Sequence, residues 1–389
     1  MQRYGRRGGG LNRIGLWLTV LALVFFVFFV IVGGILGTNY NHLGNLVKVF
    51  TLIQTQYTGE VDASKMVEGA IRGMVESLDD PYSVYLDEET FKQLEEQISG
   101  SFGGLGILVG VKDDLLTVVR VYEGTPADRD GVLEGDRITA IDGRDVRGMD
   151  LQAAIRLMRG PVGTRVELAV VREGKEESVK LGITREKISV PTVEGTILKD
   201  FNIGYMLISQ FNEKTSDEVL QKIAELQDRG MQGLVLDLRN NPGGELSAAT
   251  RVADNFVPKG PIVYIDYRTG DEDVKEADDN YLQLPLAVII NGYSASAAEI
   301  LAGAIRDTDT GTLVGVKTFG KGVVQTVFPL DNGVTGLKLT TARYLTPDKN
   351  DINNKGIHPH VVVEDREDLP GDEQLDRAVE LVRDKIGSQ

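Results

Sequence analysis

The sequence predicts a chain of several parts built around an α/β core. A β-rich module is inserted ahead of that core, helices precede it, and one apolar, membrane-length segment stands near the start. Three observations carry this reading. Residues Ile14 to Gly37 hold no charged side chain. Between about Phe102 and Lys187, short alternating runs broken by glycine read as β structure. From about Val190 to Val363, β-like apolar runs alternate with helical segments, the pattern of an α/β core. At 389 residues the chain has room for several domains. Its 42% hydrophobic and 26% charged residues are those of a globular protein and fit neither a disordered nor a fibrous chain.

Taken in order, Arg3, Arg6, Arg7 and Arg13 come first, with no acid in the first forty residues; the rest of the chain holds 38 basic against 58 acidic residues. A body so acidic repels phosphate backbones, and no basic cluster with interleaved aromatics is visible, so no nucleic-acid partner is expected. The segment 14–37 is long enough to cross a bilayer. The alternative, a cleaved signal peptide, fits less well, because the apolar run exceeds the usual core of about 7–15 residues and no A-x-A site follows it. With arginines only on its amino-terminal side, residues 1–13 are expected to be cytoplasmic, 14–37 a single-pass anchor in the cell membrane, and the remainder extracytoplasmic. Leu46, Val49, Phe50 and Ile53, then Met66, Val67, Ala70, Ile71, Met74, Val75 and Leu78, recur at helical spacing and end at Asp79-Asp80-Pro81. Two amphipathic helices fit, and their apolar faces suit a homodimer or simple core packing equally.

In the β-rich module, Leu116–Val121 and Val166–Val171 read as strands and Leu151–Met158 as a helix. The module resembles a PDZ domain. Gly103-Gly104-Leu105-Gly106-Ile107 is similar to that family's carboxylate-binding loop, and Gly124-Thr125-Pro126-Ala127, Asp130-Gly131-Val132, Glu134-Gly135-Asp136-Arg137-Ile138 and Ile141-Asp142-Gly143 follow in its order. A glycine turn of this kind exposes successive N–H groups to a terminal carboxylate while the next strand edge pairs with the peptide.

In the core, Ile203–Ile208, Gly233–Leu238, Ile262–Ile265 and Leu286–Ile290 read as strands, and Thr215–Asp228 and Glu245–Phe256 as helices. Asp372–Ile386 reads as a last amphipathic helix. Three places carry chemistry. Leu236-Asp237-Leu238-Arg239-Asn240-Asn241-Pro242-Gly243-Gly244 runs a strand into a turn whose N–H groups suit an oxyanion, or serve an ordinary strand-to-helix loop. Ser294-Ala295-Ser296-Ala297 lies between a strand and a helix. Ser296 with Glu299 makes a capping-box pattern, and a serine there is either only a cap or a nucleophile beside orphan N–H groups. Lys321 lies in Thr318-Phe319-Gly320-Lys321-Gly322 among apolar neighbours, where burial can lower its pKa far enough for it to act as a base. Gln325, four residues on, has an amide that can orient the amine. No cysteine is present, and of the three histidines His358 and His360 flank one proline, so a thiol nucleophile, a histidine triad or a His-rich metal site lacks parts.

Together these segments resemble the carboxyl-terminal processing proteases, the tail-specific serine peptidases of family S41. The resemblance implies a crotonase/Clp-protease-like α/β core, an inserted PDZ-like domain, amino-terminal helices and one transmembrane helix. It implies a serine endopeptidase that needs no metal or cofactor and acts on proteins or peptides with free carboxyl termini. Ser296 would be the nucleophile, Lys321 the base, Gln325 the third member, and Gly243, Gly244 and Ala297 the oxyanion hole. The expected boundaries are 38–98 for the amino-terminal helical segment, 99–187 for the PDZ-like domain, 188–363 for the protease core and 364–389 for the carboxyl-terminal helix. A homodimer through the amino- and carboxyl-terminal helices is one of two readings of their apolar faces, core packing being the other. Two departures from the family pattern stand out: Ala298 replaces a common third serine, and Glu245 replaces a common apolar residue, which puts an apolar substrate pocket in doubt. The rival readings are an inactive PDZ scaffold binding protein tails, and a crotonase-like enzyme acting on acyl thioesters.

Overall fold

The computed structural model describes residues 42–172, 174, 178–198, 201–364 and 371–388, together with Trp17, Leu21, Leu23, Phe25 and Phe26. The expected anchor, 14–37, and the tail before it lie outside the described residues except for those five, which are helical. Among the described residues no helix is long and apolar enough to cross a membrane. The chain divides into two units, Met1–Asp79 and Asp80–Gln389.

Between residues 42 and 79 the first unit holds two helices, as the spacing predicts: α1 (42–56) and α2 (Ala63–Glu76). Asp62 caps α2 by accepting from the N–H groups of Ser64 and Lys65, which removes two of the orphan donors of its first turn. Leu46, Val49 and Ile53 on α1 and Val67 and Met74 on α2 remain exposed.

The second unit opens with β1 (Val84–Leu86), α3 (Glu88–Ser99) and β2 (Ser101–Gly104). The inserted module follows as β3 (Ile107–Lys112), β4 (Leu115–Val121), α4 (Pro126–Arg129), β5 (Arg137–Ile141), β6 (Arg144–Asp145), α5 (Leu151–Met158), β7 (Arg165–Val171) and β8 (Val179–Thr184). Its sheet runs β3-β4-β5-β7-β8, with β6 on β5, so β3 is an edge strand. Ala154 and Met158, one turn apart on α5, are buried with Val118, Ile138, Leu168 and Ile183, the inward residues of the sheet. A return strand, β9 (Glu186–Ser189), pairs with β2 and closes the insertion.

The core continues through β10 (Val193–Leu198), β11 (Ile203–Ile208), α6 (Thr215–Asp228), β12 (Gly233–Asp237), α7 (Leu246–Asp254), β13 (Gly260–Tyr267), β14 (Glu272–Ala277) and β15 (Leu286–Ile290). It ends with α8 (Ala297–Asp307), β16 (Thr312–Gly315), β17 (Val323–Leu330), β18 (Thr335–Leu345), β19 (Val361–Val362) and α9 (Glu373–Gly387). The main sheet has the order β10-β11-β12-β15-β16-β19, parallel except for β10. Its central strands are buried on both faces, which is why Leu-Val-Leu and Leu-Ala-Val-Ile-Ile are unbroken apolar runs. On β15, Leu286, Val288 and Ile290 join the cluster that contains α7 and α8, while Ala287 and Ile289 face Ala378 and Val382 of α9. Burying Val382 against that sheet is worth about 1.5–3 kcal/mol.

Two expectations change here. The apolar side of α9 is used on its own chain's sheet, so it is not free for a dimer contact. A second, antiparallel sheet, β1-β18-β13-β14 with β17 on β18, has no counterpart in the sequence reading beyond β13. It brings β17 and β18 beside the lysine turn.

Candidate active site

β15 stops at Ile290, and the turn Asn291–Ala295 leads to Ser296, the N-cap of α8. Ser296 has φ 56° and ψ −116°, a conformation that costs a non-glycine residue about 1–3 kcal/mol and persists only where the surroundings impose it. Its N–H donates to Glu299 Oε2 at 2.8 Å, its carbonyl accepts from the N–H groups of Glu299 and Ile300, and Tyr344 Oη lies 3.1 Å from that carbonyl. Ser294, two residues earlier, is fully buried. Its Oγ donates to the Leu238 carbonyl and accepts from Asn291 N–H, so it shapes the turn.

Glu299 is the centre of the site. Its carboxylate is buried, and besides Ser296 N–H it accepts from Thr318 Oγ1 at 2.6 Å, Gly320 N–H at 2.8 Å and Lys321 N–H at 2.9 Å. One carboxylate therefore ties the serine turn to the lysine turn. Tyr344 Oη also hydrogen-bonds the Lys321 carbonyl. Burial and the Glu299 charge push its phenol well above the ordinary range, so it stays protonated and donates. Lys321 Nζ lies 4.7 Å from the centre of the Tyr82 ring. Burial lowers the Lys321 pKa, the charge of Lys338 lowers it further, and Asp80 and Glu299 oppose both. Gln325 does not make the expected bond to the lysine amine. Its amide donates to Thr340, its cross-strand partner on β18, at 3.3 Å, and to the Val323 carbonyl.

The Pro-Gly-Gly turn is fastened to the serine turn by reciprocal hydrogen bonds between Asn240 and Asn291 and by Ala295 N–H to the Asn241 carbonyl. Gly243 and Gly244 have φ 98° and 140°, and a Cβ on Gly243 would stand 2.8 Å from Ser296 Cβ, so a side chain is excluded. The oxyanion expectation narrows. Gly243 N–H is already bound to Asn241 Oδ1 at 2.8 Å, while Gly244 N–H and Ala297 N–H have no partner among the described residues. Tyr82, Asn240, Pro242, Tyr293, Ala295, Phe319 and Lys321 line an adjoining, mostly apolar cavity of about 510 Å³. Glu245 is not among them. Its carboxylate instead caps α7 by accepting from Ala248 N–H and Ser247 Oγ. Among the described residues no group of three or more His, Asp or Glu side chains is placed to hold a metal.

In the inserted module, Gly103 and Gly104 belong to the β2–β9 ribbon, and Leu105 is buried. Leu105 and Gly106 use their carbonyls on Ala127 N–H and Tyr122 N–H, while their own N–H groups have no partner among the described residues. Ile107 begins the edge strand β3, beside α5. The N–H groups left without a partner among the described residues of this loop are thus those of Leu105 and Gly106, one step beyond the two leading glycines.

Residues 202–363 match the model of peptidase family S41, residues 117–172 a PDZ domain, and residues 36–90 the amino-terminal domain of the activating protease CtpB. The chain is 40% identical over 330 residues to the carboxy-terminal processing protease CtpA of Bacillus subtilis (strain 168), covering 84% of this chain and 70% of the relative. The chain belongs to peptidase family S41. A carboxy-terminal-processing protease of Bartonella bacilliformis is 42% identical over 334 residues, covering 84% of this chain and 76% of that one. The solved photosystem II D1 C-terminal processing protease is similar at 32% identity and a TM-score of 0.52, over 89% of this chain and 92% of the other. This S41 member is thus a carboxy-terminal processing serine protease with a PDZ domain. Sequence reading misses Tyr82, which lies just past the helix stop at Asp79-Asp80-Pro81, and Tyr344, for which it holds no signal. It reads Glu299 as a cap and not as the tie between two turns.

Proposed function

We propose that this S41 protease is a membrane-anchored endopeptidase with a Ser296–Lys321 dyad, which captures substrate carboxyl termini on its PDZ domain and cuts at an interior site. The observation that carries the dyad is the Glu299 carboxylate, bound at once to Ser296 N–H and Lys321 N–H, with the amine held below its ordinary pKa by burial. The neutral Lys321 amine takes the Ser296 Oγ proton as Oγ attacks the substrate carbonyl carbon. The oxyanion forms against Gly244 N–H and Ala297 N–H. The C–N bond then breaks as the Lys321 ammonium returns the proton to the leaving amine, and water, activated by the same amine, hydrolyses the acyl-enzyme. The apolar cavity beside Lys321 takes an apolar side chain before the cut. Gln325 acts on the dyad only through the strand, its amide being bound to Thr340.

Substrate tails add a strand to the β3 edge with their carboxylate at Leu105 and Gly106. The protein to be cut is threaded from that end. Residues 14–37 anchor the chain in the cell membrane with its body outside the cytoplasm, and the exposed apolar residues of α1 and α2 suit a homodimer contact. Added protease should degrade the body in wall-stripped cells; a protected body would reverse the orientation. Unfolded polypeptides differing only in their last residues should be cut at rates that depend on the free carboxylate, with products mapped by mass spectrometry. Equal cutting of carboxylate and amide ends would remove tail capture.

Activity should follow the neutral fraction of Lys321, rising with pH through its lowered pKa and levelling above it. Lys338→Gln removes a neighbouring positive charge, raises the Lys321 pKa and should move the rising limb to higher pH. Asp80→Asn removes a negative charge and should move the limb the other way. Profiles of kcat/KM against pH check both signs, and movement of both limbs in one direction would contradict the assignment of the base.

A further inference from the structure

Arg239 stands between the end of β12 and the Asn240–Gly244 turn, and its guanidinium is held by two carboxylates. Its Nε donates to both oxygens of Asp237, which is almost fully buried, and its Nη2 to Asp237 Oδ2 at 2.6 Å. The other edge donates to Asp372 Oδ1 at 2.9 Å and Oδ2 at 2.7 Å, a bidentate pair, with Gln374 Oε1 at 3.3 Å. Tyr205 Oη completes the Asp237 carboxylate from β11. Asp372 in turn is the N-cap of α9 and accepts Leu375 N–H, while buried Gln374 donates to the Val363 carbonyl. Burial tends to raise the Asp372 pKa, but the hydrogen bonds from Arg239 and Leu375 outweigh it, so the carboxylate stays ionised below the usual range. The start of the last helix is therefore bound, 133 positions along the chain, to the residue that leads into the oxyanion turn.

We infer that Asp372 is a positioning residue for the oxyanion turn: it locks Arg239, and through it the Asn240–Gly244 backbone, so that catalysis requires α9 to be docked. The inference rests on Gly244 N–H serving the oxyanion, as set out above. A guanidinium forked between two carboxylates has one orientation; with Asp372 gone it keeps the Asp237 pair and the single, longer Gln374 contact, and the turn gains freedom. Loss of pre-organisation acts on kcat, because the oxyanion develops only in the transition state, while substrate tails bind elsewhere.

The test uses the whole enzyme and an unfolded substrate. Asp372→Asn and Asp372→Ala should each lower kcat by about 10- to 100-fold with KM within about twofold, since small misplacements of catalytic groups have effects of that size. Arg239→Lys, which keeps the charge and loses the fork, should do the same, and adding Asp372→Asn to it should cost little more. Thermal melting of each variant separates the alternatives. A kcat within twofold of the parent for both Asp372 variants, even with a lower melting temperature, would make the pair merely structural and overturn the inference. A rise in KM at constant kcat would do so too. Ser296→Ala, run alongside, must be dead; if it cuts normally, the dyad itself is wrong, a failure distinguishable from that of the Asp372 assignment.

Discussion

Ser296→Ala should abolish acyl-enzyme formation and lower kcat/KM by about 10⁴-fold or more, and Lys321→Ala should do comparable harm, because a nucleophile and its base act as one unit. Lys321→Arg should not rescue activity, since a guanidinium stays protonated and cannot take the serine proton. Gln325→Ala should cost far less, about tenfold, because its amide is spent on Thr340 and reaches the chemistry only through the strand. Ser294→Ala separates the two serines. That hydroxyl is fully buried between Leu238 and Asn291, so its loss should lower stability by about 1–3 kcal/mol while leaving a nucleophile in place. Hydrolysis of an unfolded polypeptide by purified variants, with circular dichroism to establish folding, reads all five. Full activity in Lys321→Arg, or a dead Ser294→Ala beside a working Ser296→Ala, would reverse the assignment.

Glu299→Ala should be the most damaging change that touches neither proposed dyad member. It strands four buried donors, Ser296 N–H, Thr318 Oγ1, Gly320 N–H and Lys321 N–H. At about 1–3 kcal/mol for each unsatisfied group, the loss exceeds about 4 kcal/mol even with relaxation, which is exceptional for a point change. The melting temperature should fall by about 10 °C, and the strained Ser296 conformation, deprived of its main tie, should relax away from the oxyanion donors. Glu299→Gln distinguishes charge from tether. Its shape is kept but one oxygen becomes a donor facing N–H groups, so kcat should still fall by about 10²-fold. The lost negative charge should also move the pH limb lower. A Glu299→Gln enzyme with normal kcat and only a displaced limb would reduce Glu299 to an electrostatic neighbour.

Much of this was legible in the amino-acid sequence. Leu151–Met158, Ile203–Ile208, Thr215–Asp228 and Leu286–Ile290 are helices and strands with the predicted ends, because apolar period and flanking turn residues act locally. The second sheet was not legible. β17 and β18 carry mixed apolar and polar residues that are only partly buried, so their period-two signal is weak, and β18 pairs with β1, some 250 residues away. The Pro-Gly-Gly turn was legible as a turn, but which of its two glycine N–H groups stays free was not. Asn241 Oδ1 takes the first N–H, a detail of side-chain rotation that glycine spacing does not carry.

By itself, the sequence determined the order of the parts, the acidic body, the apolar segment ahead of it, and the serine, lysine and glycine turns that place the chain among the S41 proteases. Those follow from local composition and short-range spacing. Only the tertiary structure decided that a buried carboxylate joins the two turns, that Tyr344 and Tyr82 close around them, that Glu245 faces a helix end, and that the last helix reaches back to Arg239. Apart from the local Glu245 cap, these contacts join residues tens to hundreds of positions apart. A hydrogen bond between such residues depends on how the sheets and helices pack, and no periodicity along the chain records it.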